Sequence, residues 1–334
     1  MNLTSIGDLA TSLMTRRRSA ELKEAIATLT DELASGQVAD VTTRLGGDFA
    51  YLADIDRSLA RLKGFSVAAT EATLFTEAAQ VNLDRLQDVS IRLSSDLLAS
   101  TPTNITSTRV HNATRARTDL ESVLGALNGT VGGRSLFGGI QTDRAPLGSA
   151  DTLLAGLAAA IAGLSDAGDI QTAAQTWFDD PAGFKATMYA GSDIALAPIE
   201  IASGQQVSVT LRADDPAFRD VLRNLALVAL STDPALALDG DTQNALMFDA
   251  GNALLAGQEG VTALRADLGF AQARIEETTV RNEAARSGLD LARTRLLNAD
   301  PFETAIRLEE TQLQLESLYA ATARTARLSL LNYL

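Results

Sequence analysis

Few residues in this chain of 334 could do chemistry. The single histidine, His111, lies among Arg109, Asn112, Thr114 and Arg115 on a segment patterned as helix. A general base needs a carboxylate to orient it, and a metal ligand needs companions at ligand spacing. Neither is near His111, which therefore reads as an exposed or packing side chain. Paired carboxylates occur at Asp179-Asp180, Asp214-Asp215 and Glu309-Glu310. Adjacent residues on a helix or turn point in different directions, and proline follows the first two pairs, so they read as turn and helix-start residues, not as an acid/base dyad. Cysteine is absent, which excludes thiol catalysis, disulfides and thiolate metal sites. Gly132-Gly133 and Gly138-Gly139 lack the Gly-Lys-Ser/Thr element and strand-to-helix context of a phosphate loop. Trp177 and Phe178 read most simply as core, with ligand stacking behind. No catalytic, cofactor-binding or metal residue emerges, and a hydrolase would have no nucleophile and base to name. The chain reads as a non-enzyme.

The bulk properties narrow the field further. Nearly half the residues are apolar, mostly Ala, Leu, Ile and Val, with aromatics at 4%, so sizeable cores and a mainly helical fold are expected. The net charge of −14 repels phosphate backbones, which disfavours a nucleic-acid partner. The one basic run, Arg16-Arg17-Arg18, reads as a solvated helix face, with contact to an anionic surface as the alternative. Met1 to Thr15 has no apolar signal core, and no stretch approaches 18 consecutive apolar residues, so no membrane span is expected. Composition alone would place the chain in the cytosol.

The elements themselves are legible as periodicities. Leu22, Ile26, Leu29 and Leu33 fall at spacings of 4, 3 and 4, one stripe of a coiled-coil-like helix that Ser35-Gly36 closes. From about Asp48 to Ala99 the helical spacing resumes through Leu52, Ile55, Leu59 and Leu62, then Leu86, Leu93 and Leu97. If continuous, such a helix extends roughly 75 Å at about 1.5 Å per residue and needs partners along its length. A further helix is expected from about Ser107 to Leu127. Between about Leu136 and Asp215 alternation replaces the helical period, most clearly over Pro198 to Arg212, where Ile199 and Ile201 alternate before Ser203-Gly204 and Val207, Val209 and Leu211 after it. A short helix at about Asp151 to Leu164, capped by Asp151, interrupts this module. Asp215-Pro216 reads as a helix start. Asp239 to about Asn298 reads as one long rod, and Asp300-Pro301 restarts a last helix from Phe302 to Leu334.

The expected fold is thus mainly α: a long antiparallel helical bundle or coiled coil from both termini, with an inserted β-containing outer domain. Residues 1–45 and 300–334 form the terminal helices, 46–138 and 214–299 the bundle, and 139–213 a β-rich insert. A long amphipathic helix has little stability until its stripe is buried, so each half supplies the other's missing face. The last helix carries more than one stripe: Leu308, Leu315 and Leu318, then Ile306, Leu313 and Ala320 beside it. One intramolecular partner does not cover both. Either the helix is buried in a larger core or neighbouring subunits cover the second stripe.

The ending Asp300-Pro301-Phe302-Glu303-Thr304-Ala305, followed by Leu308, Gln312, Gln314 and Leu315, and the terminal Leu328-Ser329-Leu330-Leu331-Asn332-Tyr333-Leu334 resemble the C-terminal helix of the flagellin family. Ile26 to Leu33 with Ser35-Gly36 resemble the family's N-terminal helix. Ser135-Leu136-Phe137-Gly138-Gly139, Gln141-Thr142-Asp143, Tyr189-Ala190-Gly191-Ser192 and Phe218-Arg219 are similar to its hook-associated branch. After Ser35-Gly36 the family usually carries Asp-Asp-Pro or Asp-Asp-Ala, where this chain has Val38-Ala39-Asp40-Val41 and then Gly46-Gly47-Asp48.

The resemblance implies an extracellular structural subunit of the bacterial flagellum that joins hook to filament, exported unfolded through the flagellar apparatus without a cleaved signal. The implied partners are copies of itself in a ring, a neighbouring hook-associated protein, flagellin, and an export chaperone; cofactors, nucleic acid and membrane are not expected. Terminal helices of the family are disordered in the free monomer and fold in the polymer. The implied assembly interface comprises Leu22, Ile26, Leu29 and Leu33 with Ile306, Leu308, Leu313, Leu315, Leu318, Leu328 and Leu331. The alternatives are a filament flagellin and, from another class, a secreted coiled-coil adhesin whose insert binds a target.

Overall fold

The computed structural model describes residues 3–100 and 105–331, with side chains outside that description at 3–8 and 325–331. It is 74% helical, with two small sheets. The helices are α1 (Leu3–Ser35), α2 (Val41–Arg44), α3 (Ala50–Ser100), α4 (Thr106–Leu127), α5 (Ala150–Ala160), α6 (Ala167–Asp179), α7 (Ala186–Met188), α8 (Pro216–Leu230), α9 (Gly240–Ala256), α10 (Gln258–Leu297) and α11 (Pro301–Leu331). The hairpins are β1 (Thr130–Val131) with β2 (Arg134–Ser135) and β3 (Ile199–Ala202) with β4 (Gln205–Val207). The chain divides into two compact units, residues 1–62 with 283–334 and residues 63–282.

The larger unit has one main apolar core. Leu83, Leu86, Leu93 and Leu97 of α3 meet Leu120 and Val123 of α4, Leu153 and Leu157 of α5, Phe178 of α6, and Leu222 and Leu225 of α8, all buried. Segment 139–213 joins that core, and helix outweighs strand in it, because Ala and Leu dominate 150–160 and Ile170, Ala174 and Phe178 repeat at helical spacing. The strands within 139–213 are those of the β3–β4 hairpin, turned at Gly204 (φ +70°). Other local readings shift for identifiable reasons. Ser149, not Asp151, caps α5 by accepting from the Thr152 amide at 3.2 Å, while Asp151 takes Arg117 at 2.6 Å. The rod expected over 239–298 breaks at Gly257.

The motifs of the 135–147 and 189–192 stretches fold into one corner. Phe137 packs edge-on against Phe218 at 5.9 Å between ring centroids, both fully buried. Gly139 adopts φ +62°, and a Cβ there would lie 2.4 Å from the Ile194 carbonyl oxygen, so glycine is required twice over. The Ser192 amide donates to the Gly138 carbonyl at 2.9 Å and the Ile140 amide to that of Ile194 at 3.0 Å. Asp214, nearly buried, accepts twice from Arg212 at 2.8 and 3.2 Å, and Lys185 bridges toward it from Asp193.

Tyr189 closes the same corner, donating its hydroxyl to the Ser192 carbonyl at 2.8 Å. Burial, helped by the Asp214 charge, pushes its phenol from the ordinary 10.0 up to about 12. The folded chain therefore keeps this proton where an unfolded chain has lost it. Its contribution to stability is intact below pH 10 and disappears as pH rises toward about 12. An absorbance titration of the four phenols should show one late-titrating group, and Tyr189→Phe should remove it.

Candidate assembly interface

In the smaller unit α1 and α11 run antiparallel. The Ala299 amide donates to the Gly36 carbonyl at 3.0 Å and the Val38 amide to that of Leu297 at 2.9 Å; further along, the Ser19 and Tyr319 hydroxyls meet at 3.3 Å. Between these ties lie Leu22, Ile26 and Leu29 on α1 and Leu308, Leu315 and Leu318 on α11. The turn leaving α1 is built locally. Gly36 takes φ +69° as the helix closes, its amide donating to Glu32. Asp40 caps α2, and hydrogen bonds from the Thr43 hydroxyl and amide hold its carboxyl below the ordinary range. Asp48 receives the Ala50 amide at 2.9 Å at the start of α3. The two aspartates of the departing 38–48 stretch are thus helix-start residues.

The seam is thin. Leu22 is buried at 5% exposure, Ile26, Leu29, Leu308, Leu315 and Leu318 are half-covered, and Leu33 is exposed. Residues that the apolar count missed complete it: Thr304 is buried, and Thr311 and Thr322 are half-covered. Together Thr304, Leu308, Thr311, Leu315, Leu318 and Thr322 keep the 4, 3, 4, 3, 4 spacing of a coiled-coil face. That spacing was readable once threonine was admitted as a seam residue.

The second stripe is not beside the first, as expected from the sequence, but opposite it. A helix turns about 100° per residue, so steps such as Ile306 to Leu308 or Leu313 to Leu315 swing about 200°. Ile306 remains 44% and Leu313 57% exposed, and Ala320 is exposed on the same side. Phe302 at 76%, with Leu9 and Leu13 of α1, adds to the uncovered apolar surface of this unit. Leu328 and Leu331 lie outside the described side chains.

His111 is exposed on α4, and among the described residues no group of His, Asp and Glu is placed to hold a metal. Asp180 receives the Ala182 amide, Asp215 caps α8, and Asp179 pairs with Arg219 at 3.2 Å, as turn and helix-start residues should. Trp177, Phe178 and Phe184 form one ring cluster, with centroids 4.9 to 6.2 Å apart. Among the described residues no helix is long and apolar enough to cross a membrane.

Comparison with known proteins bears on this same region. Residues 256–334 match the model of the bacterial flagellin C-terminal helical region. No curated protein sequence matches the chain. A solved structure provisionally described as a flagellar hook-associated protein from Vibrio parahaemolyticus aligns over 73% of this chain and 99% of its own, at 12% identity and a TM-score of 0.43. At that score the likeness carries no argument.

Proposed function

We propose that this chain is a non-enzymatic structural subunit of the bacterial flagellum, of the flagellin family, that joins hook to filament through its terminal helices. The observation that carries the reading is a coincidence of two facts. The segment similar to the flagellin C-terminal helical region contains α11, and α11 has two opposite apolar stripes of which its own chain covers one. An apolar face that large on an otherwise polar helix marks an interface.

On this reading the first stripe pairs with Leu22, Ile26 and Leu29 within the chain, and Ile306, Leu313 and Ala320 are covered by neighbouring subunits: copies of the same chain in a ring, an adjoining hook-associated protein and flagellin. The work is mechanical, matching a curved hook to a stiffer filament without turnover. The protein reaches the cell exterior through the flagellar export apparatus, and an export chaperone covers the C-terminal stripe on the way. The corner motifs around Phe137, Gly139 and Tyr189 support the hook-associated branch over a filament flagellin.

Copy number separates these two. Quantitative mass spectrometry of isolated flagella should find this protein as a trace component, far below the filament subunit. A count comparable with the filament subunit would make it a filament flagellin, and its absence from washed flagella would remove the flagellar role.

A further inference from the structure

We propose that a second copy of this chain docks on the α1–α11 pair through a charge register: Arg16 and Lys23 of one copy face Glu309 and Glu316 of the next. The inference rests on the assembly reading above and names the partner and the residues that align it.

The uncovered stripe of α11 has acidic borders. At about 100° per residue, Glu309 and Glu316 line one side of the row formed by Ile306, Leu313 and Ala320, and Glu310 lines the other. All three carboxylates are exposed, and none joins an ion pair within the chain among the described residues, whereas nearby Glu303 takes Arg307 at 3.6 Å. A bare apolar row with unpaired carboxylates beside it calls for a partner whose own small apolar face is bordered by cations.

The chain itself offers that partner. On α1, Arg16 and Lys23 stand seven residues apart, two turns on one face, with Ala20 between them. They line an open groove of about 300 Å³ whose other side is Leu318, Tyr319 and Thr322. Arg17 and Arg18 are occupied by Glu21 at 3.1 and 3.5 Å, while Arg16 has no carboxylate partner among the described residues and Lys23 sits 6.0 Å over the Tyr319 ring. The acidic pair has the same seven-residue interval. Bases and acids at equal spacing, the acids beside an apolar row and the bases flanking Ala20, form the arrangement that fixes partner and register between helices. In a chain of net charge −14, these cations offset local repulsion where one copy approaches another's acidic α11.

The test uses full-length protein and two reversed variants, Arg16→Glu/Lys23→Glu and Glu309→Lys/Glu316→Lys, with assembly read by sedimentation. Each variant alone should lose assembly by about tenfold or more, because like charges then face each other. An equimolar mixture of the two should assemble again, since each variant supplies the charge the other lacks. That recovery cannot come from variants that fail to fold. If the wild-type protein assembles and the reversed variants do so equally well, or the mixture stays dispersed, the charge register is wrong while the flagellar reading stands. If wild-type protein neither assembles nor enters flagella, the assembly reading fails and the register with it.

Discussion

Removing residues 300–334 should abolish incorporation into flagella while leaving the 63–282 unit folded. The deletion takes away all of α11, and with it both the seam over Leu22 and the uncovered stripe. What remains of α1 is a helix whose apolar row faces water, and such a helix has little stability of its own. Ordering a backbone residue costs about 1 to 2 kcal/mol, which the thin seam offsets only in part. The loss should therefore spread from α11 to α1, visible as a fall in helical circular dichroism larger than the deleted residues account for. The 63–282 unit keeps its own core, and the sole tryptophan, Trp177, sits inside it. Urea unfolding followed by Trp177 fluorescence should have an unchanged midpoint. A truncated protein found in flagella at wild-type level would sink the assembly reading, and a collapsed Trp177 transition would show that the two units do not fold independently.

The second large effect belongs to the other unit. Phe137→Ala should destabilise the 63–282 unit by about 3 to 5 kcal/mol, the usual cost of emptying a fully buried aromatic site. Phe137 has no exposed surface, packs edge-on to Phe218, and its carbonyl accepts the Ala213 amide at 2.8 Å, so neighbouring backbone resists collapse into the void. Against a total of about 5 to 15 kcal/mol for a domain, that is enough to move the Trp177 transition to markedly lower urea. Helical signal from α1 and α11 should not change. A shift below about 1 kcal/mol would mean the corner built by Phe137, Gly139 and Tyr189 can repack, contrary to the close approaches around it.

How much of this was legible beforehand depended on the kind of signal each element carries. Helices with repeated Leu and Ile, such as α3 and α4, were read nearly to their ends because burial imposes a 3.6-residue period. The Pro216 start of α8 was readable because proline tolerates only a helix's first turn. In segment 139–213 the alternation of Ile199 and Ile201 around Ser203-Gly204 was legible as the β3–β4 hairpin, whereas α6 was not, because Gly, Pro and Asp around it break the helical period into short pieces. Gly257 was missed as a break because a single glycine in a helical pattern is usually tolerated. At the interface the apolar rows were readable, but the threonines of the α11 seam were not, since threonine carries no hydrophobic signal by itself. Placing Ile306 and Leu313 opposite Leu308 and Leu315 needed only the helical turn of about 100° per residue, and that geometry makes the second row unreachable for α1.

The most direct test of the central claim is the incorporation of Ile306→Asp/Leu313→Asp into flagella. Both side chains are exposed in the single chain, so the purified variant should match wild-type protein in helical content and in its Trp177 transition. Quantified on isolated flagella, it should be absent or reduced about a hundredfold, because each new carboxylate replaces apolar contact surface and, with the neighbour's Arg16 and Lys23 matched to Glu309 and Glu316, has no cation of its own. Wild-type incorporation of this variant would contradict the account: the second face of α11 would then have no neighbour to meet.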